Sequence, residues 1–327
     1  MKTPAASPLV LVLTVLVGVA LVAASCTSMR DEDVVPPGDP VIVGTGPEAE
    51  SRLLAAVAAE LLSRSGYVPT VVELADAGAA QRALDVGDVD LLPGYTGEAW
   101  LDLGLENPSS DPRTSFARVQ SVAASFGITW LRPGFELELG VNGPPADATF
   151  GLFVRGIPSP DADLRTISQL ATRLPDRPDA RVCVDADFIR RDDGWRAVAQ
   201  AYSIAEPILV EAGPRDALRG VASGECFVAL GSATDGEAWA AGLQLLEDPL
   251  GVFPAFAVTF QARTELVEDD PGIERALAPL TAHLTTRLLG TWNAQVARGE
   301  TIAEVAVAAV DAVLQQAGVD PLAVPTG

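Results

Sequence analysis

Residues 40–66 read PVIVGTGPEAESRLLAAVAAELLSRSG, and their reading decides the fold. Val41, Ile42 and Val43 form a short β-branched run. The Gly-Thr-Gly-Pro turn that follows leads into a stretch with Leu53, Leu54, Val57, Leu61 and Leu62 at helical spacing. Apolar residues three and four apart place one face of a helix against a core, and Gly66 stands where a left-handed residue stops it. A strand followed by an amphipathic helix is the opening unit of an α/β sheet.

The same alternation continues outward. Thr70–Leu74 reads as a second strand, Ala77–Val86 as a second helix and Val89–Leu92 as a third strand running into a Pro93-Gly94-Tyr95-Thr96-Gly97 loop. It restarts at Thr149–Val154, with strands near Arg181–Val184, Ile208–Glu211 and Phe227–Leu230 and helices at Asp192–Tyr202 and Arg215–Ala222. Pro271–Leu289 and Thr301–Ala317 are helical without a strand of their own and are expected to pack back on the first lobe. The expected fold is α/β with two lobes, each a mostly parallel sheet flanked by helices, and a ligand cleft between them. The first lobe spans 40–148, the second 149–255, and 256–327 returns to the first.

Upstream, Lys2 precedes an apolar run from Leu9 to Ala24, shorter than the roughly 20 residues a spanning helix needs. Residues 1–25 therefore read as a signal peptide. The run ends in Ala23-Ala24-Ser25-Cys26, which resembles a bacterial lipobox with Cys26 as the lipidated residue; ordinary signal-peptidase cleavage beside an incidental cysteine is the alternative. The polar stretch 26–39, with Pro36-Pro37-Gly38, reads as a tether. Cys183 and Cys226 remain, either paired in an oxidising compartment or packed as two small hydrophobes.

A net charge of −22, from 44 acidic against 22 basic residues, argues against nucleic acid as a partner and against charge-driven docking on an anionic membrane. The lone histidine, His283, belongs to no Cys/His cluster with metal spacing, and Gly44-Thr45-Gly46 lacks the third glycine of a dinucleotide loop. No nucleophile stands in a motif with a base. The chain reads as a binding protein without cofactor or metal, not an enzyme, and as a monomer.

Four separated segments together resemble the glycine betaine/choline-type substrate-binding proteins of osmoprotectant ABC importers. They are Val43–Glu50; Gly87-Asp88-Val89-Asp90-Leu91-Leu92-Pro93-Gly94-Tyr95-Thr96-Gly97; Asp187–Trp195; and Thr234-Asp235-Gly236 with Leu246-Glu247-Asp248 and Phe253-Pro254-Ala255-Phe256. The resemblance implies a periplasmic-binding-protein fold of the second type, lipid-anchored on the outer face of the cytoplasmic membrane. It also implies delivery of a small osmolyte to an ABC permease with its ATPase subunit.

A quaternary ammonium has charge but no N–H donor, so aromatic faces hold it, and an Arg can hold the carboxylate of a betaine. Carried over position by position, the resemblance implies cage residues Tyr95, Phe150 and Phe256, Ser232 where a fourth ring usually stands, and Arg191 for the carboxylate, with Arg190 as its rival. Gly46 stands in place of a carboxylate-binding Lys, Glu98 in place of a small hydroxyl residue, and Ala148 in place of a polar one. These departures point toward a ligand whose cationic end dominates, such as choline, or toward weak betaine binding. The rival readings are the same clamp with another small polar solute, or a lipoprotein that senses or interacts without transport. For Glu48 and Glu50, in the first turn of a helix, a dipole-compensating structural role is expected.

Overall fold

The computed structural model describes residues 38–135, 144–191, 194–205 and 207–319. The signal peptide, Cys26 and nearly all of the tether lie outside the described residues, as do Asp192 and Asp193. Among the described residues no helix is long and apolar enough to cross a membrane.

The first half of the chain lays down β1 (Pro40–Thr45), α1 (Ala49–Arg64), β2 (Val68–Glu73), α2 (Ala77–Val86), β3 (Leu91–Tyr95), α3 (Thr96–Asp102), α4 (Pro112–Ala123) and β4 (Ile128–Trp130). The second lobe contains β5 (Phe150–Val154), α5 (Ile167–Arg173), β6 (Arg181–Val184), α6 (Ala186–Arg190), α7 (Trp195–Tyr202) and β7 (Ile208–Glu211). It continues with α8 (Pro214–Ser223), β8 (Val228–Ser232), α9 (Gly236–Ala240) and β9 (Gln244–Leu245). The chain then crosses back through β10 (Val258–Arg263), α10 (Thr264–Asp269), α11 (Pro271–His283), α12 (Thr286–Ala297) and α13 (Ile302–Gln316).

Two five-stranded sheets result, in the orders β2-β1-β3-β10-β4 and β7-β6-β8-β5-β9. Both are mixed, which corrects the expectation of mostly parallel sheets. β1 runs parallel to β2 and β3, but β10 is antiparallel to both β3 and β4. In the second sheet β6 is parallel to β7 and β8, while β5 is antiparallel to β8 and β9. The antiparallel strands adjoin the crossings between lobes, where the returning chain enters a sheet without a helical crossover.

The core of the first lobe joins the opening unit to the end of the chain. Leu53, Leu54, Val57, Leu61 and Leu62 of α1 are buried with Val41 and Val43, with Phe260 of β10 and with Val305, Val310 and Val313 of α13. Gly66 has φ +93, the left-handed conformation that ends α1 with no Cβ penalty. The second lobe closes around Leu152, Val182, Val198, Val228 and Trp195. Cys183 and Cys226 are joined in a disulfide, with Cα atoms 6.0 Å apart, beneath α8.

Two further expectations change. The segment from Pro93 to Gly97 is not a loop: Pro93 to Tyr95 complete β3, and Thr96 begins α3. β1 pairs with β3 only at Leu91, so Pro93 lies where that flank of the strand has no ladder partner to lose. The expected helix Pro271–Leu289 is two helices, because Leu284 accepts the Ala146 N–H at 2.9 Å and Thr285 caps α12 through the Leu288 N–H at 3.2 Å. Tertiary pairing with the crossing strand interrupts a run that local propensity would continue.

Candidate ligand cavity at the crossing of the lobes

Tyr95 ends β3 and takes the N-cap position of α3. Its placement depends on Thr96, which is fully buried: its N–H donates to the Ala257 carbonyl at 3.1 Å, and its Oγ1 accepts the Ala257 N–H at 2.9 Å. Gly97 follows for a steric reason. A Cβ there would lie 2.4 Å from the Phe256 ring, so the absence of a side chain lets that ring lie on the start of α3.

Phe256 and Phe150 come from the two crossing segments, which pair with each other. The Ala148 N–H donates to the Phe256 carbonyl at 3.0 Å, and the Asp147 carboxylate accepts from the backbone N–H groups of Phe256 at 2.7 Å and Thr149 at 3.0 Å. This ladder sets the two rings edge to face, with centroids 5.8 Å apart. Burial pushes the Asp147 carboxyl up to about 6, although both backbone donors act the other way. Ser232, at the end of β8, lies opposite Phe150 in the antiparallel register, and its hydroxyl donates to the Ala148 carbonyl at 3.0 Å.

Glu50 ties the distant parts together. Its Oε1 accepts the Tyr95 hydroxyl at 2.9 Å and its Oε2 accepts from Asn293 of α12. The same Asn293 amide donates to the Thr234 carbonyl at 2.8 Å. Burial raises the Glu50 carboxyl above the usual range, against hydrogen bonding from Thr234, Tyr95 and Asn293. Burial and the adjacent Glu50 hold the Tyr95 phenol well above its ordinary value. The structural role expected of Glu50 is thus wider than dipole compensation, since its carboxylate fixes the Tyr95 ring from behind.

These residues line a cavity of 270 Å3. Of the seven ligand positions carried over from the sequence, it brings together six: Gly46, Tyr95, Glu98, Phe150, Ser232 and Phe256. Arg191, carried over as the carboxylate-binding arginine, is not among its walls. α6 stops at Arg190, and Arg191 continues in extended conformation as an exposed residue. Arg190 is engaged elsewhere, 3.6 Å from Asp187 and 3.8 Å from Glu211. Near Ser232, the Trp239 indole N–H donates to the Ala233 carbonyl at 2.9 Å, and its ring lies on Gly290 of α12.

The charge of the cavity was not legible beforehand. Among the described residues its lining carries the carboxyl groups of Glu48, Glu50, Glu98 and Asp102 and no Lys, Arg or His. Burial, followed by the charges of Asp102, Glu48 and Glu50, pushes the Glu98 carboxyl up to about 7. A larger depression of 510 Å3 on the second lobe holds Arg155, Arg177 and Arg181, but Arg177 pairs with Asp161 and Arg181 with Glu225. It gathers no aromatic cage.

Two mixed sheets linked by paired crossing segments, with an aromatic and acidic cavity beside the crossing, define a clamp-type binding protein. Residues 39–312 match the family described as the substrate-binding domain of ABC-type glycine betaine transport systems. The chain belongs to this family, and it is a solute-binding protein of an ABC importer for quaternary amines. It is 27% identical over 270 residues to the glycine betaine-binding protein YehZ of Escherichia coli strain K12, covering 79% of this chain and 85% of that one. It is 22% identical over 262 residues to a glycine-betaine-binding protein of Pseudomonas aeruginosa, covering 76% of this chain and 79% of the relative. The solved structure of apo YehZ superposes with a TM-score of 0.73 at 24% identity, covering 85% of this chain and 99% of that one, and shares the fold.

Proposed function

We propose that the cavity takes the quaternary ammonium head of a small osmolyte against Tyr95, Phe150 and Phe256, and that a choline-type ligand fits it better than a betaine. One observation carries this reading: among the described residues, edge-to-face rings and four carboxyl groups line the same cavity without a basic side chain. Aromatic faces attract a cation by about 0.5–2 kcal/mol each, the more so when dry. The carboxylates add to that attraction and repel a ligand carboxylate. Rigid-body closure of the second lobe would bury the ligand and present both lobe surfaces to a permease.

Calorimetric titration with choline, glycine betaine, carnitine and ectoine tests the reading. Saturable binding of quaternary amines with choline tightest is expected; tighter binding of ectoine would overturn it. Gly46→Lys supplies the missing cation. Its Cβ would sit 2.4 Å from Glu48 Oε2, the movable end of a side chain, so the backbone can accept it. A charge-assisted hydrogen bond is worth about 1.5–3 kcal/mol, part of which the neighbouring Glu48 takes up, so glycine betaine should bind roughly three- to tenfold tighter. Choline should bind no better. An unchanged betaine affinity would remove Gly46 from the account of specificity.

The reading extends to the cell surface: residues 1–25 direct export, Cys26 carries the lipid, and the monomeric clamp works at the outer face of the cytoplasmic membrane beside a permease and its ATPase subunit. Small residues before a cysteine at the end of a short apolar run support it. Cys26→Ala should move the protein from the membrane fraction to the soluble fraction. Full retention in the membrane would count against the anchor.

A further inference from the structure

We infer that Glu98 selects the ligand through its protonation state: ionised, it favours a cation with a neutral tail; protonated, it admits a zwitterion that carries a carboxylate. The inference rests on the functional reading above and deepens it.

Glu98 lies in the first turn of α3, three residues after the cage residue Tyr95, and lines the same cavity as Phe150 and Phe256. The groups that share this cavity can be named element by element. The α1 side contributes Glu48 and Glu50, α3 contributes Asp102 one turn beyond Glu98, and β3 contributes the Tyr95 hydroxyl, which is already donated to Glu50. The second lobe and the crossing segments contribute Ala148, Phe150, Ser232 and Phe256, none of them charged. Among the described residues Glu98 thus stands with three other carboxyl groups and no basic side chain in the wall, and like charges at close range disfavour the ionised form.

A quaternary ammonium placed among these groups reverses the balance. It attracts the ionised carboxylate, and the bound complex sheds the proton that the empty cavity held. A ligand carboxylate does the opposite: it repels ionised Glu98 and accepts a hydrogen bond from the protonated one. Neither a quaternary ammonium nor a betaine carboxylate titrates near neutrality, so any proton exchanged belongs to the protein.

The direction of the pH dependence follows. Burial and the neighbouring carboxylates push the Glu98 carboxyl up to about 7. If choline binds only the ionised form, its affinity rises with pH and levels off above that value. Linkage then gives an increase of about 30-fold between pH 5.5 and pH 8, and release of about 0.9 proton per choline at pH 6. Glycine betaine should show the reverse slope. Asp147, pushed up to about 6, lies in the crossing segment behind Phe256 and is not part of this wall. Its titration would act on both ligands alike, whereas Glu50, which shares the wall and is also raised by burial, would act on them in opposite senses, so the Glu98→Gln variant is what isolates Glu98.

The test is calorimetric titration of the purified protein with choline and with glycine betaine at pH 5.5, 7 and 8. Two buffers of different ionisation enthalpy count the protons exchanged. Opposite slopes for the two ligands, and convergence of both on shallow, parallel slopes in Glu98→Gln, are expected. Saturable binding with parallel slopes in the unaltered protein, or opposite slopes that persist in Glu98→Gln, would overturn the assignment to Glu98 while leaving the functional reading in place. Silence with both ligands at every pH would remove the functional reading and this inference together.

Discussion

Tyr95→Ala is expected to weaken binding of a quaternary amine by about 10- to 100-fold, the largest effect of any single change in the cavity. The ring is one of three aromatic faces, and losing a desolvated face costs on the order of 1–2 kcal/mol. The substitution also strips Glu50 of the hydroxyl donated at 2.9 Å, leaving Thr234 and Asn293 to hold a carboxyl group whose ionised form burial already disfavours. Tyr95→Phe separates the two contributions. It keeps the ring and removes the donor, so affinity should stay within a fewfold while stability falls by about 1–2 kcal/mol. Calorimetry and thermal melts on both variants check this; Tyr95→Ala binding within threefold of the unaltered protein would mean that the ring is not a wall of the cage.

Removing the disulfide should produce the largest effect on stability. Cys183 and Cys226 are 43 residues apart, and cross-linking a loop of that length lowers the entropy of the unfolded chain enough to contribute about 4 kcal/mol. The double change Cys183→Ala with Cys226→Ala should therefore lower the melting temperature by roughly 10 °C. The bond lies beneath α8, and neither cysteine lines the ligand cavity, so affinity measured well below the transition should hold. A drop of less than about 2 °C would show that the paired sheet strands β6 and β8 constrain this region without it. A large loss of affinity would instead show that the second lobe communicates strain across the crossing.

Much of the first lobe was readable from periodicity. The α1 face of Leu53, Leu54, Val57, Leu61 and Leu62 is a local pattern, as is the left-handed Gly66, and both stand in the structure where the pattern puts them. The Pro93–Gly97 segment was misread for the same reason that local reading works elsewhere: Pro-Gly ordinarily marks a turn, and only the pairing of Pro93 with Phe260 makes it strand. The break between α11 and α12 is of the same kind. Ala146 and Leu284 are hydrogen-bonded across 138 positions of chain, and no window of sequence contains both.

The cavity divides along the same line. Tyr95, Phe150, Phe256, Ser232, Gly46 and Glu98 were reachable because segments in a recurring order carry them, whereas Arg191 was carried over with its motif and lies on the surface. Asn293 had no local signal at all. It stands within a helix, and its role exists only because α12 meets both Glu50 and the Thr234 carbonyl.

The order of residues along the chain was sufficient for α1 with its Gly66 stop and for the alternation of strand and helix that opens each lobe, since these depend on neighbours within a turn or two. The antiparallel entry of β10 and β5, the ring pair at the crossing and the assembly of four carboxyl groups in one cavity were decided by the tertiary structure. Strand pairing and charge interaction act between groups that are close in space, and folding alone brings together residues as far apart in the chain as Glu50 and Asn293.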